Sequence, residues 1–217
     1  MVKRNIQTIF KKIKGKAQLT AVIKNKNYKQ IKDLLEAGVE IVGQNYINQA
    51  QRNLSLIKKY PVKNHLIGHL QKNKVNKAVK LFDMIETLDS VFLAQKIDAA
   101  CKRINKKMPV LIEINSAKEF QKTGIHPEKT LDFLNQINRL ENIKIQGLMT
   151  MGPRVSRTQE VRSYFRIVKD IFNQIKKEKI FGVQMRYLSM GMSDTYQIAL
   201  QEEANLVRIG RALFKNS

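Results

Sequence analysis

Short apolar runs of β-forming residues alternate along this chain with longer stretches in which apolar positions recur every three or four residues. The first pattern is that of strands buried on both faces, the second that of helices with one buried stripe. Strands are expected at residues 19–23, 40–43, 64–68, 84–87, 110–115, 145–150, 187–190 and 206–210. Helices are expected between them, for example over 28–37, closed by Gly38, and over 91–105, 131–139 and 161–177. About eight strands in β-then-α order predict an α/β fold, a closed (β/α)8 TIM barrel. An open doubly wound sheet shares that local pattern, but no Gly-x-Gly-x-x-Gly follows the first strand. No repeat, low-complexity linker or proline-rich hinge divides the chain, so residues 1–217 read as one domain.

In such a barrel the chemistry sits at the C-terminal ends of the strands. Here those ends carry polar or glycine residues: Lys24, Asn45, Gly68, Asp89, Asn115, Thr150, Ser189 with Ser193, and Arg208 with Gly210. The last two strands stop in Ser189-Met190-Gly191-Met192-Ser193 and Val207-Arg208-Ile209-Gly210. Small residues there leave backbone N–H groups bare, the arrangement that holds a phosphate, and Ser193 is placed to open a helix over 195–203. The first strand runs through Ala21-Val22-Ile23 into Lys24. A lysine buried at a strand end is easier to deprotonate and hold in place, the two needs of an amine that captures an aldehyde. A phosphorylated aldehyde is the ligand this combination points to, and pyridoxal 5′-phosphate (PLP) is one. Each position has a plainer reading as well. Lys24 could be a solvated lysine beside Lys26 and Lys29, the serines helix caps, and Arg208 a surface partner of Glu202 or Glu203. His65 and His69 lack the clustered acids or further histidines that a metal site needs.

Charge changes the picture less than its size suggests. With 40 basic against 18 acidic residues the formal net charge is +22. Such a surplus attracts phosphate-rich polymers and anionic surfaces without regard to sequence. The lysines, however, are spread over nearly every expected helix and are not interleaved with aromatics, so they read as solvated faces, with no dedicated nucleic-acid site. Only residues 1–17 are lopsided, and they read as a basic helix leading into the first strand. No run approaches the length of a membrane span, and no signal-peptide pattern is present. The lone Cys101 excludes an internal disulfide and fits a reducing, cytoplasmic setting.

The chain carries Ala-Val-Ile-Lys-Asn-Lys ending at Lys26, Gly-Gln-Asn-Tyr at 43–46 and His-Leu-Ile-Gly-His-Leu-Gln-Lys-Asn-Lys at 65–74. Lys122-Thr123-Gly124-Ile125, Gly-Leu-Met-Thr-Met-Gly-Pro ending at Pro153, and the two C-terminal blocks follow in order. Through these blocks the chain, from residue 19 to 214, resembles the pyridoxal phosphate homeostasis protein family, relatives of the alanine racemase barrel. The resemblance implies the alanine racemase N-terminal domain-like barrel of PLP fold type III, with a Schiff base between PLP and Lys24. It further implies Asn45 near the ring, Arg208 facing the ring nitrogen, and Ser193, Gly210 and Arg211 around the phosphate, with Met149 and Ser189 also in the cofactor-binding set.

The function implied is buffering, carriage or delivery of PLP to apo-enzymes that use it, without catalytic turnover as the main role. The competing readings are an amino-acid racemase of the same barrel class and a basic nucleic-acid or anionic-surface binder. Four positions depart from the family pattern: Ile23 for a usual serine, Gln44 for glutamate, Thr195 for aspartate and Arg211 for threonine. The last exchanges a hydroxyl donor for a cation at the phosphate.

Overall fold

The structure, a computed structural model, describes residues 2–153 and 158–215. Met1 and Ser217, the two ends of the single-domain reading, lie outside the described residues. The elements run α1 (Val2–Ile13), β1 (Gln18–Val22), α2 (Tyr28–Glu36), β2 (Ile41–Gln44), α3 (Ile47–Ile57), β3 (Lys63–Leu66), α4 (Val75–Leu81) and β4 (Met84–Leu88). They continue with α5 (Val91–Lys102), β5 (Met108–Glu113), α6 (Thr130–Ile137), β6 (Ile143–Met149), α7 (Val161–Glu178), β7 (Val183–Ser189), α8 (Tyr196–Gln201) and β8 (Leu206–Ile209). The strands close in sequence order into a parallel barrel, as the alternation predicted. Closure is made by β1 against β8, with Thr20 opposite Arg208 and Ala21 opposite Ile209. That seam brings the lysine after β1 beside the glycine after β8.

Local sequence explains the helices. In α7 the buried residues are Val161, Phe165, Val168, Phe172 and Ile175, a single stripe at helical spacing. Helix α2 opens on a reciprocal capping box, Asn27 Oδ1 accepting from Gln30 N while Gln30 Oε1 accepts from Asn27 N. In α1, Val2, Ile6, Ile9 and Ile13 are buried, while Lys3, Lys11 and Lys12 are exposed. The basic N-terminal segment is thus a solvated helix face over an apolar one.

The expected strands are displaced by a few residues where burial and polarity disagree. β7 begins at Val183, not 187, because its first half alternates exposed Gln184 and Arg186 with half-buried neighbours. β3 ends at Leu66 and β5 at Glu113, each two residues before the expected strand end.

Two large apolar clusters fill the space between strands and helices. A third, of Ile41, Met84, Leu111, Met149 and Leu206, joins residues from β2, β4, β5, β6 and β8. Strands that do not neighbour one another meet there, so it is a layer inside the ring. It forms the floor on which the polar interior rests.

Candidate functional site

At the C-terminal ends of the strands the barrel opens into a cleft of about 900 Å³, lined among others by Lys24, Glu113, Ser116, Lys122, Thr150 and Arg211. A smaller cavity of about 310 Å³ shares Lys24 and Arg211 with it and is completed by Ser193, Thr195, Arg208 and Gly210. Five of the residues singled out in the sequence therefore converge on one pocket: Lys24, Ser193, Arg208, Gly210 and Arg211.

Lys24 is reached differently from the sequence expectation. β1 ends at Val22, and Ile23 stays buried with its N–H on the carbonyl of Gly43. The chain then turns through Asn25 at φ +57°, a left-handed conformation asparagine accepts. Lys24 is consequently exposed, so burial is not what prepares it. Its Nζ lies 5.2 Å from the centroid of the Tyr46 ring and makes no hydrogen bond or ion pair with a described residue.

Arg208 is the opposite case, 2 % exposed inside the barrel. Nη1 donates to Ser189 Oγ at 2.6 Å, and Nη2 to the Thr150 carbonyl at 2.7 Å and to Met151 Sδ at 3.4 Å. Ser189 Oγ in turn donates to Glu86 Oε2 at 2.7 Å, while Glu86 Oε1 meets His65 Nδ1 at 2.8 Å. A relay from β3 and β4 through β7 to β8 thus holds the guanidinium from behind. Burial lowers the Arg208 pKa and the charges of Glu86 and Glu113 oppose this, leaving a cation. Burial by itself would raise Glu86, but the His65 hydrogen bond, the charges of His65 and Arg208 and the Ser189 bond bring it below its ordinary value.

Ser189 and Met149 were expected on the cofactor wall, and their side chains lie beneath it. Ser189 is fully buried with its hydroxyl spent between Glu86 and Arg208. Met149 is fully buried in the floor layer. Depth decides both, since Met149 and Ser189 are register partners one level down inside the ring and face packed side chains, not the opening. Asn45 lines a neighbouring cavity of about 420 Å³ with Tyr46, Gly68 and His69, and its buried Oδ1 has no partner among the described residues.

The end of β7 is built on Gly191 at φ +92°, where a Cβ would sit 2.6 Å from that of Ala199. Beyond it Thr195 Oγ1 accepts from Met192 N, and Ser193 Oγ accepts from Ala212 N. The first bond closes the 191–195 loop on itself and the second ties it to the segment after β8. The helix expected over 195–203 is shorter, α8 covering only Tyr196–Gln201.

Two acids of the site escaped the sequence reading. Glu86 lies in mid-strand, and Glu113 closes β5 at 8 % exposure. Burial first and the charge of Asp89 second push the Glu113 carboxyl up. Asp89 is also raised by burial, an effect only partly offset by His69. The available signal was a carboxylate interrupting an otherwise apolar run, at Met84-Ile85-Glu86 and Leu111-Ile112-Glu113. Among the described residues, no group of three or more His, Cys, Asp or Glu side chains is placed to hold a metal ion, and no helix is long and apolar enough to cross a membrane.

A family model for the alanine racemase N-terminal domain matches residues 1–217. The pyridoxal phosphate homeostasis protein of Helicobacter pylori is 33% identical over 200 residues, 91% of this chain and 87% of that one. The chain belongs to the pyridoxal phosphate homeostasis protein family. The human protein of the same name is 32% identical over 207 residues, 91% of this chain and 75% of its own. PipY of Synechococcus elongatus, solved with PLP bound, superposes with a TM-score of 0.90 at 26% identity, covering 99% of this chain and 100% of PipY. Alanine racemase of Clostridium difficile shares the fold at 16% identity and a TM-score of 0.80, this chain spanning 56% of it.

The four departures from the homeostasis family pattern now have positions. Ile23 belongs to an apolar cluster. Gln44 does not face the mouth: it donates to Asn64 Oδ1 and accepts from Asn53 of α3, on the helix side of the sheet. Its lost charge therefore leaves the site unchanged. The carboxylate usual at Thr195 stands one residue earlier, at Asp194, and forms an ion pair with the exposed Arg211.

Proposed function

We propose that this chain binds PLP and serves its homeostasis as a buffer, carrier or donor, with no enzymatic turnover as its main role. The observation that carries the reading is the meeting of Lys24, Ser193, Arg208, Gly210 and Arg211 on one small cavity. The residues fit the group. Lys24 offers an amine with no competing hydrogen bond among the described residues, and it is the residue to hold PLP as a Schiff base. Ser193, the backbone at Gly210 and a rim cation suit a phosphate. Bound PLP supplies an aldehyde that condenses with amines and a ring that accepts negative charge. Arg208, locked as a cation behind the pocket, is suited to face the ring nitrogen and oppose its protonation, which weakens the ring as an electron sink. Asn45, on the adjoining cavity, is the ring's amide neighbour in this reading, its Oδ1 being without a partner among the described residues.

The names of the relatives and the PLP-bound structure of PipY support this reading. It includes a single barrel domain over residues 1–217, a cytoplasmic setting consistent with one free cysteine, and PLP-dependent apo-enzymes as recipients.

Titration of cofactor-free protein with PLP and with pyridoxal, followed by visible absorption, tests it. PLP is expected to saturate the protein while pyridoxal binds at least about tenfold more weakly, 1.4 kcal/mol of phosphate contact. Equal affinities would remove the phosphate pocket from the account. Arg211→Thr is expected to change PLP affinity by less than about threefold, because the guanidinium is exposed and shared with Asp194, an ion pair of low value. The loaded protein is expected to racemise or transaminate L-amino acids far below the enzymatic range of about 1–10³ per second. A rate inside that range, read by chiral chromatography, turns the reading into the racemase.

A further inference from the structure

We propose a second ligand subsite in the cleft beside Lys24, a pocket for the primary ammonium of a free α-amino acid with Glu113 Oε2 as its anchor. Glu113 is 8 % exposed, ends β5 and lines the same cleft as Lys24. Thr123 Oγ1 donates to Oε1 at 3.2 Å, whereas Oε2 is buried with no hydrogen-bond partner among the described residues. A buried carboxylate oxygen left without a donor costs free energy that a bound donor recovers.

The nearby cations do not supply that donor. Arg208 donates to Ser189, the Thr150 carbonyl and Met151, and Lys122 Nζ to Glu119 and the Gly152 carbonyl, with no bond to Glu113 from either among the described residues. The local field favours a cation as the missing partner. In a chain with 40 basic and 18 acidic residues, Glu86, Asp89 and Glu113 gather in and just after the adjacent strands β4 and β5. Leu88 pairs with Ile112 across β4 and β5, which sets Asp89 beside Glu113 one residue further on, and the Asp89 charge raises the Glu113 carboxyl. Lys24, whose Nζ makes no hydrogen bond or ion pair with a described residue, borders the same cleft and suits a carboxylate. Opposite charges across one cleft match a zwitterion, and about 900 Å³ leaves room for a small one. The subsite borders the proposed cofactor pocket and rests on that reading only for its use, since its binding groups belong to the protein.

The test is titration of cofactor-free and PLP-loaded protein with L-alanine, ethylammonium and propionate, read by saturation-transfer NMR and calorimetry. L-alanine and ethylammonium are expected to bind cofactor-free protein, with propionate weaker than L-alanine by about tenfold, 1.4 kcal/mol. Glu113→Gln should weaken L-alanine by about tenfold or more and leave propionate unchanged. If that variant misfolds, the pH dependence of the wild type decides. L-alanine affinity should fall as Glu113 takes a proton above the ordinary carboxylate value, within a surround of Asp89, His69, Arg208 and Lys24. Binding of propionate equal to L-alanine, pH-independent L-alanine binding, or no L-alanine binding overturns the subsite. Because these titrations include cofactor-free protein, they fail or succeed separately from PLP binding, which the absorption titration reads.

Discussion

Borohydride reduction of the PLP-saturated protein is expected to fix the cofactor to a peptide containing Lys24, and Lys24→Ala to abolish that label. Two other lysines compete on sequence grounds. Lys29 sits exposed on α2 and lines neither cavity at the mouth. Lys26 lines only the smaller cavity, and its Nζ lies 4.4 Å from the centroid of the Phe214 ring. Lys24 alone of the three borders both the cleft and the smaller cavity, so an aldehyde held there by its phosphate end is expected to meet Lys24. Proximity of this kind replaces a bimolecular encounter by an intramolecular one and governs which amine reacts. Lys24→Ala should leave residual non-covalent affinity through the phosphate contacts, at least about tenfold weaker than wild type. Peptide mapping by mass spectrometry reads the result. Label on Lys26 or Lys29 would sink the assignment.

Glu86→Leu is expected to be the most destabilising single change at the site. It strands Arg208 in the interior with Ser189, the Thr150 carbonyl and Met151 but without the carboxylate that shares its relay. Removing one partner from a buried charge network costs about 3–5 kcal/mol. For a chain of this size that corresponds to a melting temperature lower by about 10 °C. The double variant Glu86→Leu with Arg208→Met, which removes both charges, should recover much of the loss. No recovery would mean that shape, not charge, dominates.

The same group sets a pH signature. Glu86 is held below its ordinary value, so its stabilising contribution is complete above that value and is lost as pH falls through the lower, folded one. Glu113 is raised, so its ionisation in the folded state opposes stability as pH climbs through its window above the ordinary value. Thermal melts across the acidic range should therefore show a shallower acid limb for Glu86→Gln than for wild type, and a shallower decline above the ordinary carboxylate value for Glu113→Gln. An unchanged acid limb in Glu86→Gln means other carboxylates drive acid unfolding.

The alternation of runs along the chain was sufficient for the fold class, because a parallel strand buried on both faces and an amphipathic helix leave different periodicities in the sequence. It also sufficed to place Lys24, Ser193, Arg208 and Gly210 at the mouth, since β-then-α order puts every strand's C-terminal end on one rim. Depth and direction were not in the sequence. Ser189 and Ser193 belong to one motif, yet one is buried behind Arg208 and the other faces the pocket. Gln44 and Asn45 are consecutive, yet Gln44 turns to α3 and Asn45 toward a cavity at the mouth. Register shifts between β4 and β5, β5 and β6, and β6 and β7 change which residue reaches a given level, and local periodicity carries no trace of them. The relay from His65 through Glu86 and Ser189 to Arg208 depends on strands far apart in the chain meeting inside a closed ring. A charge in an apolar run marks itself as unusual in the sequence. Only the closed barrel brings its partner within hydrogen-bonding distance, because burial leaves a charge stable only where that partner is.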